Sequence, residues 1–89
     1  MDYIVFTDED QLLIEAQTQS RSDIIVDQLI KIRKDQGKTQ QDIANITGMQ
    51  RGNVARVERK IYVPTLEVLQ RYAAALGYEI NLNLEPKRD

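Results

Sequence analysis

Between Thr39 and Lys60 the chain reads TQQDIANITGMQRGNVARVERK, two short helical patterns joined at a single glycine. Thr39 with Asp42 three residues later is a capping-box signature for a helix start. Ile43, Ala44 and Ile46 form the expected buried side of that helix, which Gly48 ends. A second pattern then runs through "NVARVERK", with Val54 and Val57 turned inward. Two helices this close need a small residue where they cross, supplied by Ala44, and a residue that bends sharply without strain, supplied by Gly48. Ile43, Val54 and Val57 form the apolar wedge that fixes the crossing angle.

Upstream, Ser20 with Asp23 reads as another helix start, and Ile25, Leu29 and Ile32 fall on one face at i, i+4, i+7. Gly37 is the expected stop. Further toward the N-terminus, "YIVF" is apolar and β-prone. Thr7 and Asp10 form a capping box for a helix through "DEDQLLIEAQTQ", expected to bury Leu12, Leu13 and Ala16. Downstream, Pro64 holds Val63 extended. Thr65 caps "LEVLQRYAAALG", with Leu66, Leu69, Tyr72, Ala73 and Leu76 inward and Gly77 as its stop. The tail "YEINLNLE" alternates, Tyr78, Ile80, Leu82 and Leu84 to one side, which predicts a half-buried strand ended by Pro86. The predicted fold is mainly α, a helical bundle with a C-terminal β-strand. Its divisions are an acidic segment over 1–20 (short strand plus helix), a helical domain over 21–77, a strand over 78–85 and a tail over 86–89.

The 89 residues carry a net charge of −2, but the charge is unevenly placed. Residues 1–27 hold seven acids against Arg21 alone, whereas 31–60 hold eight bases against Asp35, Asp42 and Glu58. An acidic front and a basic middle are what a nucleic-acid-binding face on an otherwise acidic molecule gives. Mixed surface charge with no partner is the competing explanation. Cysteine and histidine are absent, which removes disulfides, thiolate chemistry and the commonest neutral-pH base and metal ligand. No apolar run approaches the ~18 residues that span a bilayer, and the N-terminus does not resemble a secretory signal. The expectation is a soluble, cytoplasmic protein without membrane association.

Counting from Gln40, the small residue is fifth, the glycine ninth, and the valines fifteenth and eighteenth. With "TQQDIA", "RVER" and "PTLEVLQRYAAALG" beside that spacing, the sequence from about Ile25 to Gly77 resembles the Xre-type helix-turn-helix family of phage repressor and Cro proteins. The resemblance implies a lambda-repressor-like bundle whose second motif helix enters the DNA major groove while the first lies across the backbone. It places Gln50, Arg51, Asn53 and Arg56 at base edges, where Arg pairs with guanine and Gln or Asn with adenine. It places Lys38, Thr39, Gln40, Arg59 and Lys60 at phosphates, and Arg33 with Glu58 in a structural ion pair between helices. Two positions depart from the family pattern. Gln50 is a weaker cap than the usual Ser or Thr. Gly52 lies inside a helix at about 1 kcal/mol relative to Ala; either it lets backbone approach DNA, or the helix firms on binding.

A lone strand has unpaired backbone edges and needs a neighbour. The candidates are "YIVF", a different protein, or the same strand of a second copy. The last is favoured, because a two-fold homodimer suits a palindromic operator on double-stranded DNA. An Xre-type domain with such a strand and an acidic leading helix is similar to HigA-like and HipB-like antitoxins. That resemblance implies a repressor of its own operon that neutralises a protein toxin, a HigB/RelE-like nuclease or a HipA-like kinase. The implied toxin-binding residues are Tyr3, Phe6, Asp8, Glu9, Asp10, Leu12 and Glu15, an acidic set that complements a basic RNA-binding surface. The alternatives are that this segment only packs on the core, and that the protein is a stand-alone regulator. Catalysis is not expected: the acids lack His or Cys companions for a metal and there is no nucleophile–base pair. No cofactor is implied.

Overall fold

The computed structural model describes residues 5–87, which form four helices. They are α1 (Asp8–Asp35), α2 (Gln40–Thr47), α3 (Arg51–Glu58) and α4 (Leu66–Ala75). Local chemistry sets most of their ends. The Thr7 and Thr39 hydroxyls accept from the amides of Asp10 and Asp42, whose carboxylates accept from the threonine amides in return. Each reciprocal pair satisfies two donors that helical geometry leaves orphaned. Thr65 accepts from the Val68 amide at the start of α4. At the far end of α4, Gly77 takes φ +80°. That conformation lets Tyr78 N–H reach the Ala73 carbonyl and Gly77 N–H reach that of Ala74, closing the helix in the Schellman manner.

Helix α2 packs on α3 and α4, and α1 packs across α3 and α4. The core joins Val26 and Leu29 of α1, Ile43 and Ala44 of α2, Val54 and Val57 of α3, and Leu69, Tyr72 and Ala73 of α4. Tyr72, Ile43, Val26, Val54 and Val57 are the largest fully buried side chains. Each large aliphatic side chain among them contributes about 1.5–3 kcal/mol relative to exposure.

Several expectations are corrected. The start signal at Ser20 does not open a new helix: α1 runs unbroken for 28 residues, so the boundary expected between residues 20 and 21 falls inside it. No glycine or proline interrupts this region, and Asp23, expected to partner a Ser20 cap, instead accepts from Gln19 Nε2 at 2.8 Å within the continuous helix. The covered stripe of α1 is Ser22, Val26, Leu29 and Arg33, with Ile25 and Ile32 only half-buried at its edge. Residues 8–18 are exposed throughout. They project by about three turns at 3.6 residues per turn, leaving Leu12, Leu13 and Ala16 uncovered. Ile46 and Leu66 are also exposed, at 57% and 45%, because each lies at the rim of its helix's apolar face.

The strand expected over 78–85 is not formed among the described residues. Among the described residues the tail forms no backbone hydrogen bonds with a second extended segment, so no ladder forms within one chain. Ile80 packs against the core, whereas Tyr78, Leu82 and Leu84 are exposed. Val5 and Phe6 form no strand either; Tyr3 and Ile4 of "YIVF" lie outside the described residues. Among the described residues no helix is long and apolar enough to cross a membrane.

Candidate nucleic-acid interface

The α2–turn–α3 unit is built from its own backbone. Gly48 adopts φ +76° and sends its N–H to the Ala44 carbonyl, a conformation that costs other residues steric strain. Thr47 ties the bend together: its hydroxyl donates to the Ile43 carbonyl at 2.7 Å and accepts from Met49 N–H at 3.2 Å. Gln50 is the N-cap residue of α3, and its side chain makes no capping bond. Because Val54 and Val57 point into the core, the opposite side of α3 is fixed by the 3.6-residue period. Gly52, Arg56 and Arg59 therefore share the outermost stripe, with Arg51 and Asn53 exposed on its two flanks.

A polar network holds this helix in place. Arg33 Nη2 lies 2.9 Å from Glu58 Oε1, with side-chain exposures of only 10% and 8%. The Arg33 Nε donates to Glu58 Oε2, making the pair bidentate, and Nη1 donates to the Lys38 carbonyl. Tyr72 Oη donates to Glu58 Oε2 and Gln40 Nε2 donates to Oε1 at 3.1 Å. Burial opposes the Glu58 charge, but hydrogen bonds from Arg33, Tyr72 and Gln40 outweigh it and hold the carboxyl below its ordinary range. Burial likewise opposes the Arg33 charge, and the bonds to Glu58 outweigh it, raising the guanidinium further. Burial and the adjoining carboxylate push the Tyr72 phenol far above its usual value. Each nitrogen of Arg33 and both carboxylate oxygens of Glu58 have a hydrogen-bond partner, which is what makes a buried charge tolerable.

The other expected contact residues separate into two groups. Gln50, Arg51, Asn53, Arg56 and Arg59 are exposed, and among the described residues none of these arginines meets a carboxylate. Arg56 lies over the Tyr62 ring, its guanidinium carbon 4.6 Å from the centroid. Arg51 and the α2 start (Thr39, Gln40 and Gln41) border one open depression, and the first amides of α2 face outward without helical acceptors. The remaining residues are engaged by their own chain. The Lys38 ammonium donates to the Ala75 carbonyl at 3.1 Å, a cation at a helix C-terminus. Gln40 turns toward Glu58. Lys60 takes φ +58°, an uncommon backbone state for a residue with a side chain, and its ammonium lies 2.6 Å from Asp27.

The set expected to meet a toxin is uniformly surface. Phe6, Asp8, Glu9, Asp10, Leu12 and Glu15 are all exposed, and Tyr3 lies outside the described residues. Asp10 is committed to the Thr7 box, which lowers its carboxyl through the backbone and hydroxyl bonds to that residue.

A family model described as helix-turn-helix matches residues 29–83. The chain belongs to this helix-turn-helix family. Neither a curated protein nor a solved structure matches it. Membership makes it a DNA-binding transcriptional regulator of the Xre/Cro-like kind. Two residues of this helix-turn-helix domain escaped the sequence reading as site residues. Tyr72 looked like core only, since nothing local shows that its hydroxyl meets Glu58, and Tyr62 lies beyond the end of α3.

Proposed function

We propose that the protein is a homodimeric repressor that binds a palindromic operator and also serves as the antitoxin of a basic protein toxin. The DNA half of this reading is carried by the exposed arginines of α3 on a helix locked from behind by Arg33 and Glu58. Two copies, paired along their tails, would set two reader helices about one helical turn (~34 Å) apart. The backbone of residues 79–84, which forms no backbone hydrogen bonds among the described residues, and the exposed Leu82 and Leu84 favour such pairing.

The antitoxin half is supported by the projecting end of α1. A helix that leaves its domain with Leu12 and Leu13 uncovered, at 64% and 53% exposure, gains little from its own fold. Its first turn carries Asp8, Glu9 and Asp10, which attract a basic surface and repel a like copy.

The DNA reading is tested by binding to a duplex selected from a random library, at two salt concentrations. Affinity should fall steeply with salt as counterions are released. Arg51→Ala should cost about 1–3 kcal/mol in specific binding while leaving the unfolding midpoint unchanged. The partner reading is tested by co-purification with the product of an adjoining gene. Leu12→Ser with Leu13→Ser should abolish that association and spare DNA binding; retained association would remove α1 from the interface.

A further inference from the structure

We infer that Tyr62 is a positioning residue that sets base preference through Arg56. The inference rests on α3 being the reader, and it assigns a role to a residue outside that helix. Tyr62 is half-buried and packs against the core, so its ring is a fixed surface rather than a mobile one. Arg56 lies over that ring at 4.6 Å. The neighbouring carboxylate, Glu67, which borders the same depression, is taken by Arg71 at 2.8 Å. Among the described residues no carboxylate pairs with Arg56.

The chemistry of a stacked guanidinium explains what this arrangement achieves. Stacking occupies one face of the plane and leaves the N–H fork at its edge free. That edge is the part that meets guanine O6 and N7 in the major groove. An arginine on an open helix surface samples many rotamers and loses that freedom when it contacts a base. Over Tyr62 much of the freedom is already lost in the free protein, so less is lost on binding. The stack also limits how far the fork swings, which narrows the choice of base pair. Arg56 lies in the central outward stripe of α3, so the consequence falls on one position in each half-site.

The experiment uses the full chain and an operator selected by the wild-type protein from a random duplex library. Affinity and base preference are then measured for Tyr62→Leu, Tyr62→Phe, Arg56→Ala and the double variant Tyr62→Leu/Arg56→Ala, with urea unfolding of each. A cation–ring contact at an exposed site corresponds to about a two- to five-fold change in affinity per half-site. Tyr62→Leu should show that loss and a relaxed preference at one base pair per half-site. Tyr62→Phe, which keeps the ring face, should bind and discriminate as wild type does. In the Arg56→Ala background, Tyr62→Leu should have no further effect on DNA. Unaltered preference in Tyr62→Leu, or an equal loss with and without Arg56, would overturn the inference and leave Tyr62 a packing residue. Failure of the wild type to enrich any sequence would instead overturn the reader assignment.

Discussion

Replacing Glu58 with Gln keeps the size of the side chain and removes its charge, leaving Arg33 buried opposite a neutral group. The distance of 2.9 Å and exposures near one-tenth place this pair among those where loss of one partner is severe. Stranding one member of such a pair costs about 3–5 kcal/mol, against a total of roughly 5–15 kcal/mol for a small domain. Urea denaturation followed by circular dichroism at neutral pH should register a loss of that size. Glu67→Gln provides the contrast, because its pair with Arg71 has exposures of 72% and 54% and should change stability by less than about 1 kcal/mol. A pH series adds a second readout. Glu58 binds its proton less readily folded than unfolded, so its contribution is complete above the unfolded value near ~4.3 and fades as pH falls through the lower folded value. That component of acid sensitivity should vanish in Glu58→Gln. Tyr72 titrates higher when folded, so its contribution persists below about pH 10 and is lost only under more alkaline conditions. If Glu58→Gln were as stable as Glu67→Gln, Arg33 would have to be hydrated, and the proposed lock on α3 would be refuted.

Two further substitutions probe the local chemistry. Gly52→Ala should raise stability by about 1 kcal/mol, since an added Cβ meets no atom within 4 Å and the backbone is not left-handed there; thermal unfolding of the free protein checks it, and a lowered midpoint would reveal a constraint on that glycine. Thr39→Ala should lower global stability by about 1 kcal/mol, because α2 is packed into the core. Thr7→Ala should instead fray only the projecting start of α1, visible as faster amide exchange there with an unchanged unfolding midpoint.

Caps, stops and the inward valines could be read without coordinates because each depends on residues within one or two turns. Thr39 and Asp42 bond each other across three positions, and Gly48 needs only its own missing side chain. The alternation of Val54 and Val57 follows from helical period alone. Pairing of Arg33 with Glu58 was available only through family resemblance, because no local rule links residues 25 apart. Apolar character misled where no partner surface exists: Leu12 and Leu13 have the pattern of a core helix but nothing to pack on. The alternating tail misled in a related way, since a strand is a relation between two backbones and one sequence supplies only one.

The sequence by itself determined helices α2, α3 and α4, the caps at Thr7, Thr39 and Thr65 and the bend that sets α3 against α2, while dividing α1 into two, because short-range hydrogen bonds and periodicity are encoded in neighbouring residues. The tertiary structure alone decided that α1 continues past Ser20 and leaves its first turns bare. It also decided that Lys38 and Lys60 bond within the chain while Arg51, Arg56 and Arg59 face outward, and that Tyr62 lies beneath Arg56. These outcomes depend on which distant groups compete for the same space and charge, a competition resolved only when all four helices are packed together.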